Sequence, residues 1–431
     1  MQHSALVLRY WVSERLEVRR QISRCAIIRA LNDVREKGRN QLSGKVAPKK
    51  LNIWEDILLG IPFEKAATLL PGLALAAVLV GAAIFISDQV NRFLGYQSLV
   101  SYITMAIILG LVVRNVIHVP EAFRPGVGFC LRKVLRLGII MMGIRLSIFD
   151  AAQIGAWGIP IVLVAITTGL VVTTCFTRLI KLPERLGVLI AVGTGICGVS
   201  AIAATAPAIG AKDEEVAYAV ANITVFGIVA MFFYPYIAHY IFGGNAVMAG
   251  LFVGTSIHDT SQVTGAGLIY DQVFSSGAKP SVAEVAVITK LVRNIFMALV
   301  IPLMAVIYAR RLASQGKSGG KVASMWSLFP YFILGFVMLA AVRSLGDAGL
   351  GRGALALGLW DSEAWQAITS SIAGWATYVL AAAVAGIGLG TGFETIKGLG
   401  VKPFFVGLLS ALAVGAASIL AVMVLGQYVA V

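Results

Sequence analysis

From Ala66 to its last residues the chain is a succession of apolar runs, each long enough to cross a lipid bilayer. A bilayer core about 30 Å thick takes roughly 20 residues of helix. Inside hydrocarbon every backbone N–H and C=O must find a partner within the protein, and a helix supplies those partners from its own segment. Candidate spans are 66–86, 97–117, 126–148, 155–178, 185–209, 215–241, 246–269, 284–309, 325–345, 368–390 and 403–428. The chain therefore reads as an all-α polytopic membrane protein of about eleven spans.

Composition excludes the main alternatives. Only 13% of the 431 residues are charged and 58% are hydrophobic, whereas a soluble domain carries roughly 25% charged residues. So few charges cannot cover a soluble surface of this size. A soluble enzyme, a nucleic-acid-binding domain and a disordered chain are excluded. The net charge of +14 does not signal nucleic acid, because residues 1–50 hold twelve Lys/Arg against four Asp/Glu and so carry +8 of it. A basic tail before a first span reads as cytoplasmic retention beside anionic lipid.

The expected organisation is a basic cytoplasmic extension over 1–55 and a transmembrane domain over 56–431. The latter divides into a first repeat-like part (66–178), a broken-helix core (185–269) and a second repeat-like part (284–431). In the tail, Trp11, Val12, Leu16, Ile22, Ile27, Ile28 and Leu31 alternate with five arginines, which fits an interfacial amphipathic helix or a poorly ordered segment. The first long apolar run starts too late for a cleavable signal peptide. Cys25, Cys130, Cys175 and Cys197 share no motif spacing, so neither a disulfide framework nor a zinc site is expected. With a cytoplasmic N-terminus, eleven loop cations fall inside and six outside, the direction the positive-inside rule favours.

A trace of duplication runs through the chain. Gly143-Ile-Arg-Leu146, Gly155 and Pro160 recur 243 residues later as Gly386-Ile-Gly-Leu389, Gly398 and Pro403. The spans concerned are seven apart, so the two copies would face opposite ways, as in inverted-repeat transporters.

Two spans are unlike ordinary membrane helices. The fifth contains Gly193-Thr-Gly-Ile-Cys-Gly-Val-Ser-Ala-Ile-Ala-Ala-Thr-Ala-Pro207 and the seventh Gly254-Thr-Ser-Ile-His-Asp-Thr-Ser-Gln-Val-Thr-Gly-Ala-Gly267. At an offset of 61, Gly193/Gly254, Thr194/Thr255, Ile196/Ile257 and Ser200/Ser261 match. Helices broken at membrane depth survive only inside protein or against a cavity. Their half-helix N-termini carry partial positive charge and hold anions. Close packing through small residues explains the glycines equally well, but not His258-Asp259-Thr260-Ser261-Gln262 within an apolar run. The expected ligand contacts are Thr194, Gly195, Cys197, Gly198, Ser200, Thr255, Ser256, His258, Asp259, Thr260, Ser261 and Gln262. His258 and Asp259 are also candidates for proton coupling, as a dyad only if the backbone unwinds between them. The two segments are two spans apart, so simple threading makes them parallel and leaves crossing helices and re-entrant segments both open.

The eighth span adds Lys290, Arg293 and Asn294. Spacing i, i+3 puts both cations on one helix face. A cation at membrane depth costs several kcal/mol unless paired or hydrated. They fit a clamp on a substrate anion, a structural bridge to Asp259, or, for Lys290, snorkelling. In the third span Arg132, Lys133 and Arg136 fit headgroup contacts or an anion-steering vestibule, and Asn222 in the sixth needs a partner as helix glue or site lining. Enzyme signatures are absent: there is no GxxxxGK[ST] loop and no HExxH pair, and Gly198-Val-Ser200 lacks the final glycine of a nucleophile elbow.

The run Leu135-Arg-Leu-Gly-Ile-Ile-Met-Met-Gly-Ile-Arg-Leu-Ser147, the two glycine/hydroxyl segments and Ala286-Val-Ile-Thr-Lys-Leu-Val-Arg-Asn294 together resemble the bacterial YeiH-type family, labelled sulfate exporters, over about residues 55–431. The basic tail departs from that family's shorter pattern. The resemblance implies a bacterial inner-membrane secondary transporter of the broad cation/proton antiporter and anion transporter superfamily. It implies a homodimer with a scaffold domain and a moving core domain, and a small sulfur oxyanion as substrate. The expectation is thus alternating-access export of that anion, with no cofactor and no metal. The other reading is a carrier of a small organic anion coupled to Na⁺ or H⁺.

Overall fold

The chain divides into two compact units, Met1–Pro62 and Phe63–Val431. The computed structural model describes residues 55, 59–94, 101–117, 119–274, 279–314, 331–392 and 400–429. The basic segment 1–50, with its expected amphipathic helix, lies outside the described residues. The helices that build the fold lie in the second unit.

Among the described residues that unit is helical, with no strand. In chain order the α-helices are α1 (Leu70–Leu94), α2 (Tyr102–Val116), α3 (Arg124–Phe129), α4 (Leu135–Met142), α5 (Ile148–Leu179), α6 (Glu184–Gly195), α7 (Val199–Ile209) and α8 (Asp213–Ile241). They continue as α9 (Ala246–Ser256), α10 (Thr260–Phe274), α11 (Val282–Ile295), α12 (Met297–Ser314), α13 (Phe332–Gly351), α14 (Ser362–Gly390) and α15 (Val401–Leu425).

Among the described residues six helices are long and apolar enough to cross a membrane: Phe63–Phe93, Ile148–Leu179, Asp213–Ile241, Phe332–Gly351, Ser362–Gly390 and Val401–Tyr428. Val282–Ile295 with Met297–Tyr308, bent by 40°, makes a seventh if the pair is one span. The other expected spans fall on shorter or interrupted helices, which is why length and composition support six or seven rather than eleven. Segment 97–117 carries the 15-residue α2. Segment 126–148 carries α3 and α4, joined by a π-helical turn at Cys130–Val134. Segments 185–209 and 246–269 are each split into two half-length helices, at 196–198 and at 257–259.

Local sequence explains the helix starts. Ser101, Ser147, Asn245, Ser281 and Asp361 are N-caps whose side chains accept from first-turn amides. Two sets of helices pack mainly among themselves: α1–α4 with α13 and α14, and α5–α12 with α15. In the first set Gly110 and Gly388 let α2 and α14 meet backbone to backbone, since a β-carbon on Gly110 would lie 2.7 Å from the Ala385 carbonyl oxygen. In the second, α9, α10 and α11 are buried almost throughout.

Candidate functional site

Two helices stop in the middle of apolar runs, and both stops face α11. The last residue of α6 is Gly195, with Ile196 as C-cap at φ −126°, ψ −98°. The chain restarts at Gly198, the N-cap of α7, at φ 68°, ψ −124°. That conformation is open to glycine and closed to residues with a β-carbon. The second break is made differently. Ile257 caps α9 in an ordinary extended conformation, φ −84°, ψ 141°, and Asp259 precedes the first residue of α10. The backbone thus unwinds at His258-Asp259, as a dyad would require. The offset of 61 holds in space: Ile196 and Ile257 are equivalent C-caps, and Ser200 and Ser261 sit in equivalent first turns.

A helix C-terminus leaves carbonyl oxygens without partners, and where they are buried the protein must supply donors. Lys290 and Arg293, both 0% exposed, fill that role. The Lys290 ammonium donates to the carbonyls of Ile196 (2.8 Å), Ile257 (2.9 Å) and His258 (2.5 Å). The Arg293 guanidinium donates from Nε to Gly195 (3.0 Å), from Nη1 to Thr255 (2.5 Å) and Ile257 (3.4 Å), and from Nη2 to Thr194 (2.5 Å). One side chain thereby ties the ends of both broken helices to a third, and so does the other. Positive charge at two negative helix ends is electrostatically favourable.

The opposite end of α11 is fixed with equal care. The Asp271 carboxylate accepts from the amides of Val282 (2.9 Å) and Ala283 (3.0 Å). Ser281 and Glu284 form a capping box, and Arg145 lies 3.7 Å from Glu284. Acids at the N-terminus and bases near the C-terminus complement the dipole of α11 and set where the cations stand.

The expected bridge from Asp259 to these cations is not formed, because no ion pair within 4 Å joins them. Asp259 instead turns onto α10, where its Oδ1 accepts from the Ser261 amide at 2.9 Å and from the Ser261 hydroxyl. Asn294 Nδ2 donates to Thr260 Oγ1 at 3.2 Å. The N-terminus of α7 has no side-chain cap, and Ser200 in its first turn is exposed. The two breaks touch: a β-carbon on Gly198 would stand 3.4 Å from the Asp259 α-carbon. Asp259 and Thr260 are half-buried, unlike the fully enclosed Lys290 and Arg293. Thr194 Oγ1, His258 Nδ1 and Asn294 Oδ1 are buried and hold no hydrogen-bond partner.

The structure therefore gathers Thr194, Gly195, Gly198, Thr255, His258, Asp259, Thr260, Ser261, Lys290, Arg293 and Asn294 around one crossing, several of them through backbone carbonyls. Other expected contacts point elsewhere. The hydroxyls of Thr255 and Ser256 donate to carbonyls of their own helix. Gln262 donates to the Thr224 carbonyl of α8 at 3.2 Å. Cys197 Sγ lies 3.4 Å from Met297 Sδ. Asn222 ties α8 to the Pro403 carbonyl of α15 as helix glue. Arg132 bonds Gly128, and Arg136 lies 5.7 Å over the Phe332 ring, both within the other helix set. Sequence reasoning missed the carbonyls of Ile196 and Ile257, because a backbone group leaves no mark on residue type. Among the described residues no three of His, Cys, Asp and Glu gather to hold a metal ion.

Residues 71–407 match the family described as conserved hypothetical protein 698. A UPF0324 membrane protein of Pseudomonas aeruginosa is 32% identical over 359 residues, covering 81% of this chain and 92% of the relative. One from Bacillus cereus is 30% identical, covering 82% and 94%. One from Yersinia pestis is 31% identical, covering 79% and 88%.

Proposed function

The chain belongs to the family of conserved hypothetical protein 698, and from that premise and the crossing geometry we propose that it is a secondary transporter. It exports a small sulfur oxyanion of the sulfate or sulfite class across the bacterial inner membrane by alternating access. One observation carries the reading: two fully buried cations without a carboxylate partner stand where two broken apolar helices meet. A chain bears the desolvation of two such charges only where they do something. Here they cap the half-helices and leave a positive field beside an uncapped helix N-terminus. The proposal includes eleven spans in an inverted repeat, with the two breaks at the bilayer midplane, a cytoplasmic N-terminus and a homodimer. No enzymatic activity or cofactor is part of it.

The second reading is a carrier of a small organic anion coupled to Na⁺ or H⁺. It is favoured by the half-buried Asp259 at the junction and the partnerless Nδ1 of His258. Thermal unfolding of the purified protein separates the two, because a ligand of the folded state raises its apparent stability by mass action. Stabilisation by a sulfur oxyanion, with uptake of that anion into proteoliposomes, is expected. Stabilisation by a carboxylate only in the presence of Na⁺ would move the assignment to the second reading. No response to any anion would end both.

A further inference from the structure

The crossing has a charge that can be counted. The ionisable groups that interact electrostatically across it are Lys290, Arg293 and Asp259, together with Cys197 and His258. The Lys290 ammonium donates to three carbonyls, the Arg293 guanidinium to four, and the Asp259 carboxylate accepts twice from Ser261. With the Cys197 thiol and the His258 imidazole counted as uncharged, two cations and one carboxylate leave a single surplus positive charge. The helix ends do not alter this sum. The C-termini of α6, α9 and α11 and the N-termini of α7, α10 and α12 meet here, each of about half a charge, and they cancel. Lys290 and Arg293 are 0% exposed, so the surplus is little screened by solvent.

A ligand of one negative charge brings this buried region to neutrality. A dianion would leave an unpaired negative charge at the same depth, which a low-dielectric site disfavours strongly. A second, independent observation concerns hydrogen bonds. Asn294 is 5% exposed and His258 2%. The Asn294 nitrogen donates to Thr260 Oγ1, and its buried Oδ1 has no hydrogen-bond partner, an acceptor left without a donor. His258 Nδ1 is also without a partner. A buried acceptor is satisfied only by a donor. An oxyanion that keeps one proton supplies it, and its other oxygens accept from the uncapped first turn of α7 and the Ser200 hydroxyl.

We infer that the site takes a protonated, monovalent oxyanion of the hydrogen sulfite type in preference to the sulfate dianion. The inference rests on the carrier reading and narrows its substrate.

The test measures thermal stabilisation of the purified full-length protein by sulfate, methanesulfonate and sulfite. Sulfite is used at about pH 6, where hydrogen sulfite dominates, and at about pH 8, where the dianion does. Methanesulfonate has the charge without the proton. Half-saturation by methanesulfonate at a concentration at least about tenfold below that of sulfate is expected, with hydrogen sulfite tighter still. Sulfite should weaken at the higher pH while methanesulfonate does not. Asp259→Asn keeps an N-cap on α10 and raises the surplus to two charges, so it should bring sulfate level with the monoanions. Sulfate as tight as methanesulfonate in the native chain, with no change in Asp259→Asn, would overturn the charge assignment and leave the carrier reading standing. Methanesulfonate equal to hydrogen sulfite would overturn the donor assignment. Silence from every anion would take the carrier reading down as well.

Discussion

The break between α6 and α7 and the break between α9 and α10 do the same job by different means. Both end a helix on an isoleucine C-cap whose carbonyl goes to Lys290. The first restarts through a glycine in a conformation that other residues avoid, and its new helix begins without a side-chain cap. The second restarts through extended backbone and is capped by a carboxylate. The C-terminal ends are thus closed alike by α11, while the N-terminal ends differ. One carries its own carboxylate and the other has no side-chain cap. What is shared between the breaks closes the helix ends, and what differs is where the proposed anion would bind.

The sharpest way to break this comparison is to remove what the two ends share. Arg293→Met leaves the Thr194, Gly195 and Thr255 carbonyls without their donor. At about 1–3 kcal/mol for each unsatisfied buried acceptor, the loss should be several kcal/mol, read as a large fall in unfolding temperature or in yield of monodisperse protein. Lys290→Met should behave in the same way. Gly198→Ala strikes the first break alone. It strains the backbone and puts a β-carbon 3.1 Å from Ile223 Cγ2, so a loss of about 1–3 kcal/mol is expected by thermal or denaturant unfolding.

Asp259 variants address the second break. Asp259→Ala removes both the cap of α10, at a cost of about 1 kcal/mol, and the charge, whereas Asp259→Asn keeps the cap and should lose less, only what the added surplus charge costs. Equal destabilisation by both would show that charge, not capping, is what Asp259 contributes to the fold. The smallest effect belongs to Ser256→Ala, whose hydroxyl is spent on the Phe252 carbonyl. Its effect on unfolding should lie within about 0.5 kcal/mol and anion binding should be unchanged.

Much of this was legible beforehand. The density of glycine and hydroxyls in 193–207 and 254–267 marked both breaks, and the offset of 61 aligned their caps. Lys290, Arg293 and Asn294 stood out because charge and amide are conspicuous in an apolar run. The expectation that hydroxyls would line the site went further than the geometry, since Thr255 and Ser256 turn onto their own helix. Inside a helix a hydroxyl always has a carbonyl one turn back within reach, and sequence does not reveal which partner it takes. The span count suffered for a related reason: breaks divide an apolar run into halves that no longer look long enough to cross.

The sequence by itself determined that the chain is helical and lives in lipid, because backbone satisfaction in hydrocarbon depends on local bonding and on run length. It also determined where the first helix breaks, since Gly198 acts on its own backbone, whereas the second break contains no glycine. Only the tertiary structure decided what the buried cations hold. Their partners are backbone carbonyls 32 to 99 residues away, which every residue possesses and only the fold brings into reach. It likewise decided that Asp259 caps a helix instead of pairing with a cation, because that choice turns on distances across three helices that no single segment encodes.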